Sequence, residues 1–135
     1  MPAAFDQIEI GQVVSLGVTV VDAGALEAFI GSFSPGWPPG RGAPDAMVYA
    51  IWARLDGEAT MAWPQTKRLG VDALRWARNP PAGELLRGRM TVMGKDPVGD
   101  DKGIIIAQHD LGLPRPDYPG RKAFLQADRP VTAAA

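Results

Sequence analysis

Apolar and polar positions divide the chain into a strand and two helices at the front and a run of strands behind. The segment Gln12-Val13-Val14-Ser15-Leu16-Gly17-Val18-Thr19-Val20-Val21 is crowded with β-branched residues and predicts a strand, entered through a turn at Gly11 after a lead-in at residues 5–8. Asp22 stands where a helix N-cap belongs, since its carboxylate can accept from free amides of a first turn. Beyond it Leu26, Phe29, Ile30 and Phe33 recur at helical spacing and define one apolar face. The stretch from Phe33 to Pro44 (FSPGWPPGRGAP) then packs four prolines and three glycines into twelve residues, which forbids regular structure, yet plants Trp37 in its middle. Pro44 suits a first helical position, and Asp45 to Leu55 forms the second helix. Met47, Ala50, Ile51 and Leu55 make one stripe on it, while Val48, Tyr49 and Trp52 render much of the rest apolar, the mark of a buried helix.

From Gly57 to Gln65 the pattern is irregular. Strand-like runs follow at Leu69–Trp76, Leu85–Met93, Ile104–His109 and Lys122–Gln126. They are separated by the turn signals Asn79-Pro80-Pro81-Ala82-Gly83 and Asp96–Gly103 and by the proline-rich LPRPDYPG, residues 113–120. In Leu85–Met93, Arg87 and Arg89 alternate with Leu86, Gly88 and Met90, as in a half-buried strand. Successive strands joined by turns make an antiparallel sheet, and a buried helix with no other cover must be wrapped by it. The expected fold is therefore α+β, one domain over residues 1–135, with a curved antiparallel sheet around a central helix.

Composition narrows the function classes. At 135 residues, with 46% apolar and 21% charged residues, the chain can bury one sizeable core. A formal net charge of −1 gives no electrostatic case for nucleic acid or an anionic membrane as partner. No apolar run is long enough to span a bilayer, and MPAAFDQIEIG lacks the basic start and apolar core of a secretory signal, so a cytoplasmic location is expected. With no cysteine and one histidine, neither a disulfide framework nor a transition-metal site is expected. No phosphate-loop or dinucleotide glycine fingerprint occurs, so no cofactor is expected.

Three segments resemble the MaoC-like acyl dehydratases, the (R)-specific enoyl-CoA hydratase group of hotdog proteins. FDQIEIGQVV, residues 5–14, is similar to that family's lead-in. VDAGALEAFIGSF followed by a proline-bearing loop and APDAMVYAIWARL is similar to its pair of helices. GVDALRWARNPPAGELLRGRMTV, residues 70–92, is similar to its strand, Pro-x-Gly turn and next strand. The resemblance spans nearly the whole chain in order. It implies a hotdog fold, dimerisation with itself or with another hotdog protein, and an acyl thioester, such as an acyl-CoA, as small-molecule substrate.

The resemblance also implies a chemistry that these residues do not repeat. Family members carry Asp and His in the loop before the central helix, in a pattern like Asp-x-x-Pro-x-His. The two groups activate water and deliver a proton across an α,β double bond. Hydration needs a base and an acid, each within hydrogen-bond reach of the reacting atoms. Aligned on Pro35, the Asp position holds Ser34 and the His position falls at or near Pro39. Neither can transfer the proton, so the fold is retained by resemblance and the pair is not.

Several residues remain as candidates. Ser34 has no local base to make it a nucleophile, and a helix-terminating hydroxyl is the plainer role. Arg41, Gly42 and Ala43 approach the buried helix where, by resemblance, backbone N–H groups polarise a thioester carbonyl, although Pro44 removes one donor. Trp37 is the aromatic best placed to line a pocket; Trp52 and Trp76 are expected in the core or an interface. Ser34, Trp37, Arg41, Gly42 and Ala43 are thus the expected substrate-binding set. For acid–base work Tyr49 offers a phenol, Asp45 a carboxylate better suited to capping, and His109 the chain's one imidazole. His109 shares a strand face with Ile105 and Ala107, and that face points either at the helix or outward.

The expected function is that of an acyl-CoA hydratase/dehydratase homologue, a hydro-lyase by resemblance. It binds or transforms an acyl thioester or a related small apolar carbonyl compound with a non-standard acid–base set. Two alternatives stand beside it: a non-catalytic hotdog subunit paired with an active homologue, and a pocket repurposed for another non-redox reaction.

Overall fold

The computed structural model describes residues 5–63, 65–98, 102–113 and 123–134, with 65–68 and 123–134 described by their backbone. Its elements are β1 (Val13–Val20), α1 (Ala23–Phe33), α2 (Asp45–Ala59), β2 (Gln65–Arg68), β3 (Asp72–Arg75), β4 (Leu85–Pro97), β5 (Lys102–Gly112) and β6 (Ala123–Ala134). The strands form one sheet in the order β1-β4-β5-β6-β2, and every described pairing is antiparallel. β3 also pairs with β6, so β2 and β3 occupy the same edge in succession.

Parity along β4 and β5 decides which face is covered. Leu86, Gly88, Met90 and Val92 are buried on β4, and Ile105, Ala107, His109 and Leu111 on β5. The register sets Met90 opposite His109, Gly88 opposite Leu111 and Val92 opposite Ala107, giving one continuous inner face. Register shifts in the pairings, among them one between Val92 and Gly94 of β4, help the sheet bend. In β1 the register shifts between Ser15 and Gly17, where Gly17 takes φ +93°, and the extra residue Leu16 turns into the core. Gly88 lies beneath it: a Cβ there would come within 3.0 Å of the Leu16 Cβ and 3.3 Å of the Leu55 Cδ1, so the bare backbone lets both leucines rest on β4.

α2 lies across this face, against β1, β4 and β6. Its buried side carries Met47, Val48, Trp52, Leu55 and Asp56; Tyr49 and Ile51 are half-buried, and Ala50 and Arg54 face solvent. The buried helix is thus confirmed, but its deepest stripe runs through Val48 and Trp52 rather than Ala50. Four further expectations need correction. α2 continues to Ala59, four residues past Leu55, because the Thr60 N–H and hydroxyl both donate to the Asp56 carbonyl, at 3.0 and 2.6 Å, and close the last turn. Pro44 occupies the cap position rather than the first turn, its carbonyl accepting from the Met47 and Val48 amides. β2 begins at Gln65, at the end of the segment read as irregular, and β6 runs on through Ala133 and Ala134. The LPRPDYPG turn beyond Leu113 lies outside the described residues.

α1 starts as its sequence indicates: the Asp22 carboxylate accepts from the Ala25 amide at 2.8 Å. Leu26 is buried and Phe29 and Ile30 are half-buried, but Phe33, 74% exposed, lies outside the core with its ring 5.2 Å from that of Phe29. The lead-in closes the far end of the sheet. Phe5 and Ile8 pack with Val92 and Ile105, the Phe5 ring taking the space a side chain at Gly103 would need. Among the described residues no helix is long and apolar enough to cross a membrane.

Candidate functional site

The proline-rich segment from Ser34 to Pro44 is an ordered strap. Ser34 caps the C-terminus of α1 with its N–H on the Ile30 carbonyl, and its own carbonyl accepts from the Trp37 amide at 3.0 Å. A short 3-10 turn at Pro39–Arg41 follows. The Trp37 indole N–H then reaches forward to the Gly42 carbonyl at 2.9 Å, and the Arg41 guanidinium lies over the indole face, 4.5 Å from its centroid. The strap is closed on itself around Trp37.

Its last residues are pinned from outside. Gly42 adopts φ +88°, where a Cβ would meet the Asn79 carbonyl oxygen at 2.5 Å and that of Pro80 at 2.9 Å; only glycine satisfies both demands. The Ala43 amide donates to the Pro80 carbonyl at 2.8 Å. The Asn79 side-chain amide donates at 2.8 Å both to the Ala43 carbonyl and to Asp45 Oδ1. The residues expected to present free N–H groups to a thioester are therefore partly engaged: Ala43 has its donor on Pro80, and Gly42 and Ala43 are buried.

The acid–base candidates are strung out rather than gathered. Asp45, Tyr49 and Trp52 follow one ridge of α2 at helical spacing. Asp45 is exposed and holds Asn79, so its carboxylate is not the side-chain cap of α2. Tyr49 is half-buried, its ring 5.2 Å from that of Trp52. Trp52 in turn meets His109 edge-on at 4.9 Å. His109 points inward from β5, which settles the direction of its strand face, and its side chain is fully buried. At 1.5 Å of rise per residue, Asp45 and Trp52 stand about 10 Å apart along the helix, too far for the Asp45 carboxylate and the imidazole beneath Trp52 to share one water.

A cavity of about 100 Å³ lies elsewhere, between β1, α1 and α2. Val20, Met47, Ile51 and Leu55 line it, with Asp22 and Arg54 also contributing. None of the eight candidate residues does. Arg54 is held by Glu58 at 2.9 Å one turn on; that hydrogen bond, and then the carboxylate's charge, raise the guanidinium pKa. No group of three or more His, Asp or Glu side chains that could hold a metal ion occurs among the described residues. Asn79 escaped sequence reasoning: its pentapeptide signalled a turn, and nothing in it points to residues 43 and 45.

No protein-family model and no curated protein matches the chain. Solved structures do. The MaoC-like dehydratase of Rhodospirillum rubrum is similar with a TM-score of 0.80 and 21% identity, over 98% of this chain and 97% of that one. An (R)-hydratase of Pseudomonas aeruginosa has a TM-score of 0.65 and 15% identity, over 98% and 89%. A Mycobacterium tuberculosis protein with a double hotdog fold has a TM-score of 0.75 and 19% identity, over 99% of this chain but 44% of that one. The inward-facing α2, the six-stranded antiparallel sheet and these likenesses agree that the chain has the hotdog fold of the MaoC-like dehydratases and (R)-hydratases.

Proposed function

We propose that the chain binds an acyl thioester, or a related small apolar carbonyl compound, at the junction of the strap and α2, and that its own residues do not carry out hydration. The observation behind the second half is the position of His109. It is the only histidine of the sequence, so any carboxylate–imidazole pair must include it, and it lies sealed under α2 against Trp52. Tyr49 and Asp45 are then the groups left for proton transfer near the strap. One is a phenol, which carries no basic lone pair strong enough to deprotonate water. The other is a carboxylate already engaged by Asn79. That arrangement can orient a carbonyl compound but offers water no good base.

The likeness to one half of a double-hotdog protein favours a companion reading, in which this chain acts as one member of a hotdog pair and the partner supplies the acid and base. The first experiment is calorimetric titration of the purified chain with crotonyl-CoA, followed by size-exclusion chromatography. Saturable binding by a dimer supports the binding role. Absence of binding to the chain alone, regained on co-expression with an active hotdog protein, moves the function to the pair. Absence of binding in both preparations rejects the acyl thioester.

A further inference from the structure

The strap is held shut by a residue 34 to 36 positions away in the chain. Asn79 presents one side-chain nitrogen with two N–H donors, and both are used: one on the Ala43 carbonyl, one on Asp45 Oδ1. Directly after it, the Pro80 carbonyl takes the Ala43 amide, and the two carbonyls of residues 79 and 80 crowd Gly42. Ala43 matters because Pro44 has no N–H. The Ala43 amide is therefore the last backbone donor of the strap before the first turn of α2, and a carbonyl approaching along the strap meets it already bonded. Asp45 is exposed and Asn79 half-buried, so water can replace the Asn79 contacts.

We propose that Asn79 is a latch. With the Pro80 carbonyl it keeps the strap–α2 junction in a closed form, and a thioester carbonyl docks on the Ala43 amide only after that amide leaves Pro80. This inference rests on the acyl-thioester reading above. A protein whose open form is a small fraction of the population shows an affinity reduced by that fraction. Removing the latch therefore tightens binding, even though it removes two hydrogen bonds from the folded chain.

The test uses the full chain and S-crotonyl-N-acetylcysteamine, an uncharged thioester, so that a change of side-chain charge has little Coulombic effect on the probe. Dissociation constants are taken from NMR shifts for the wild type and for Asn79→Ala, with hydrogen exchange of the Ala43 amide followed in parallel. Asn79→Ala is expected to bind about tenfold more tightly and to exchange the Ala43 amide faster, since it gives up one hydrogen bond to a carbonyl and one to a carboxylate, each of modest net worth. Wild-type binding that is matched or weakened in Asn79→Ala makes Asn79 a brace and overturns the latch, while leaving the thioester reading intact. Binding by neither protein overturns both. Should Asn79→Ala not fold, Asp45→Ala removes one of the two acceptors and keeps the contact to Ala43; a smaller gain in affinity is expected, and no gain overturns the latch.

Discussion

Trp52 and His109 meet edge to face, 4.9 Å between ring centroids and 77° between planes, with both side chains closed to solvent. The contact joins the centre of α2 to the centre of β5, where His109 stands opposite Met90. It makes the imidazole a part of the core.

Diethyl pyrocarbonate reports this burial directly, because it acylates only an imidazole it can reach. In the native protein the ultraviolet signature of carbethoxyhistidine is expected to stay flat. In urea one histidine per chain is expected to react, matching the single histidine of the sequence. Rapid reaction of the folded chain would place His109 at an accessible site.

Truncating the partner ring measures what the contact supports. Trp52 is fully buried and touches Tyr49 as well as His109. Trp52→Ala removes a large apolar group from a packed interior and is expected to cost about 3–5 kcal/mol, seen as a lower urea midpoint. A loss below about 1 kcal/mol would mean that α2 is not the filled centre of the fold.

Gly42 is a steric prediction of a different kind. Its positive φ and the nearby carbonyls of residues 79 and 80 leave no place for a methyl group. Gly42→Ala is expected to destabilise the chain by about 1–3 kcal/mol, through strain and displacement of the Asn79–Pro80 segment. Gly40→Ala is the control, since nothing lies within 4 Å of a Cβ there. Equal denaturation midpoints for the two variants would contradict the close packing of the strap on residues 79–80.

Asp22 is legible as a cap in the sequence, and its carboxylate does hold the Ala25 amide. Asp22→Ala is expected to cost about 1 kcal/mol, and Asp22→Asn much less, since Asn caps nearly as well. Thermal melts of the two variants separate capping from any effect of charge.

Other features were legible for equally local reasons. The alternation Leu86-Arg87-Gly88-Arg89-Met90 foretold a half-buried strand because only one face of the sheet is covered. What escaped the sequence depends on contacts made at a distance. The tail of α2 contains Gly57 and charged neighbours that suggest an end, yet Asp56 is buried and Thr60 closes the turn. Gln65–Arg68 has no apolar pattern and is a strand because β6 pairs with it. For His109 the alternation indicated which residues share its face, but only the register with Met90 and the contact with Trp52 show that this face is the inner one. Asn79 was invisible because α2 and the two strands β2 and β3 separate it in sequence from its partners at 43 and 45.

The most direct test of the account is the steady-state absorbance of crotonyl-CoA incubated with the purified chain. With the sole imidazole enclosed and no other strong base at the strap, the enoyl band is expected to persist, indistinguishable from a blank, under conditions where calorimetry records binding. Hydration that disappears in His109→Gln would show that the imidazole reaches substrate after all, and would contradict the account.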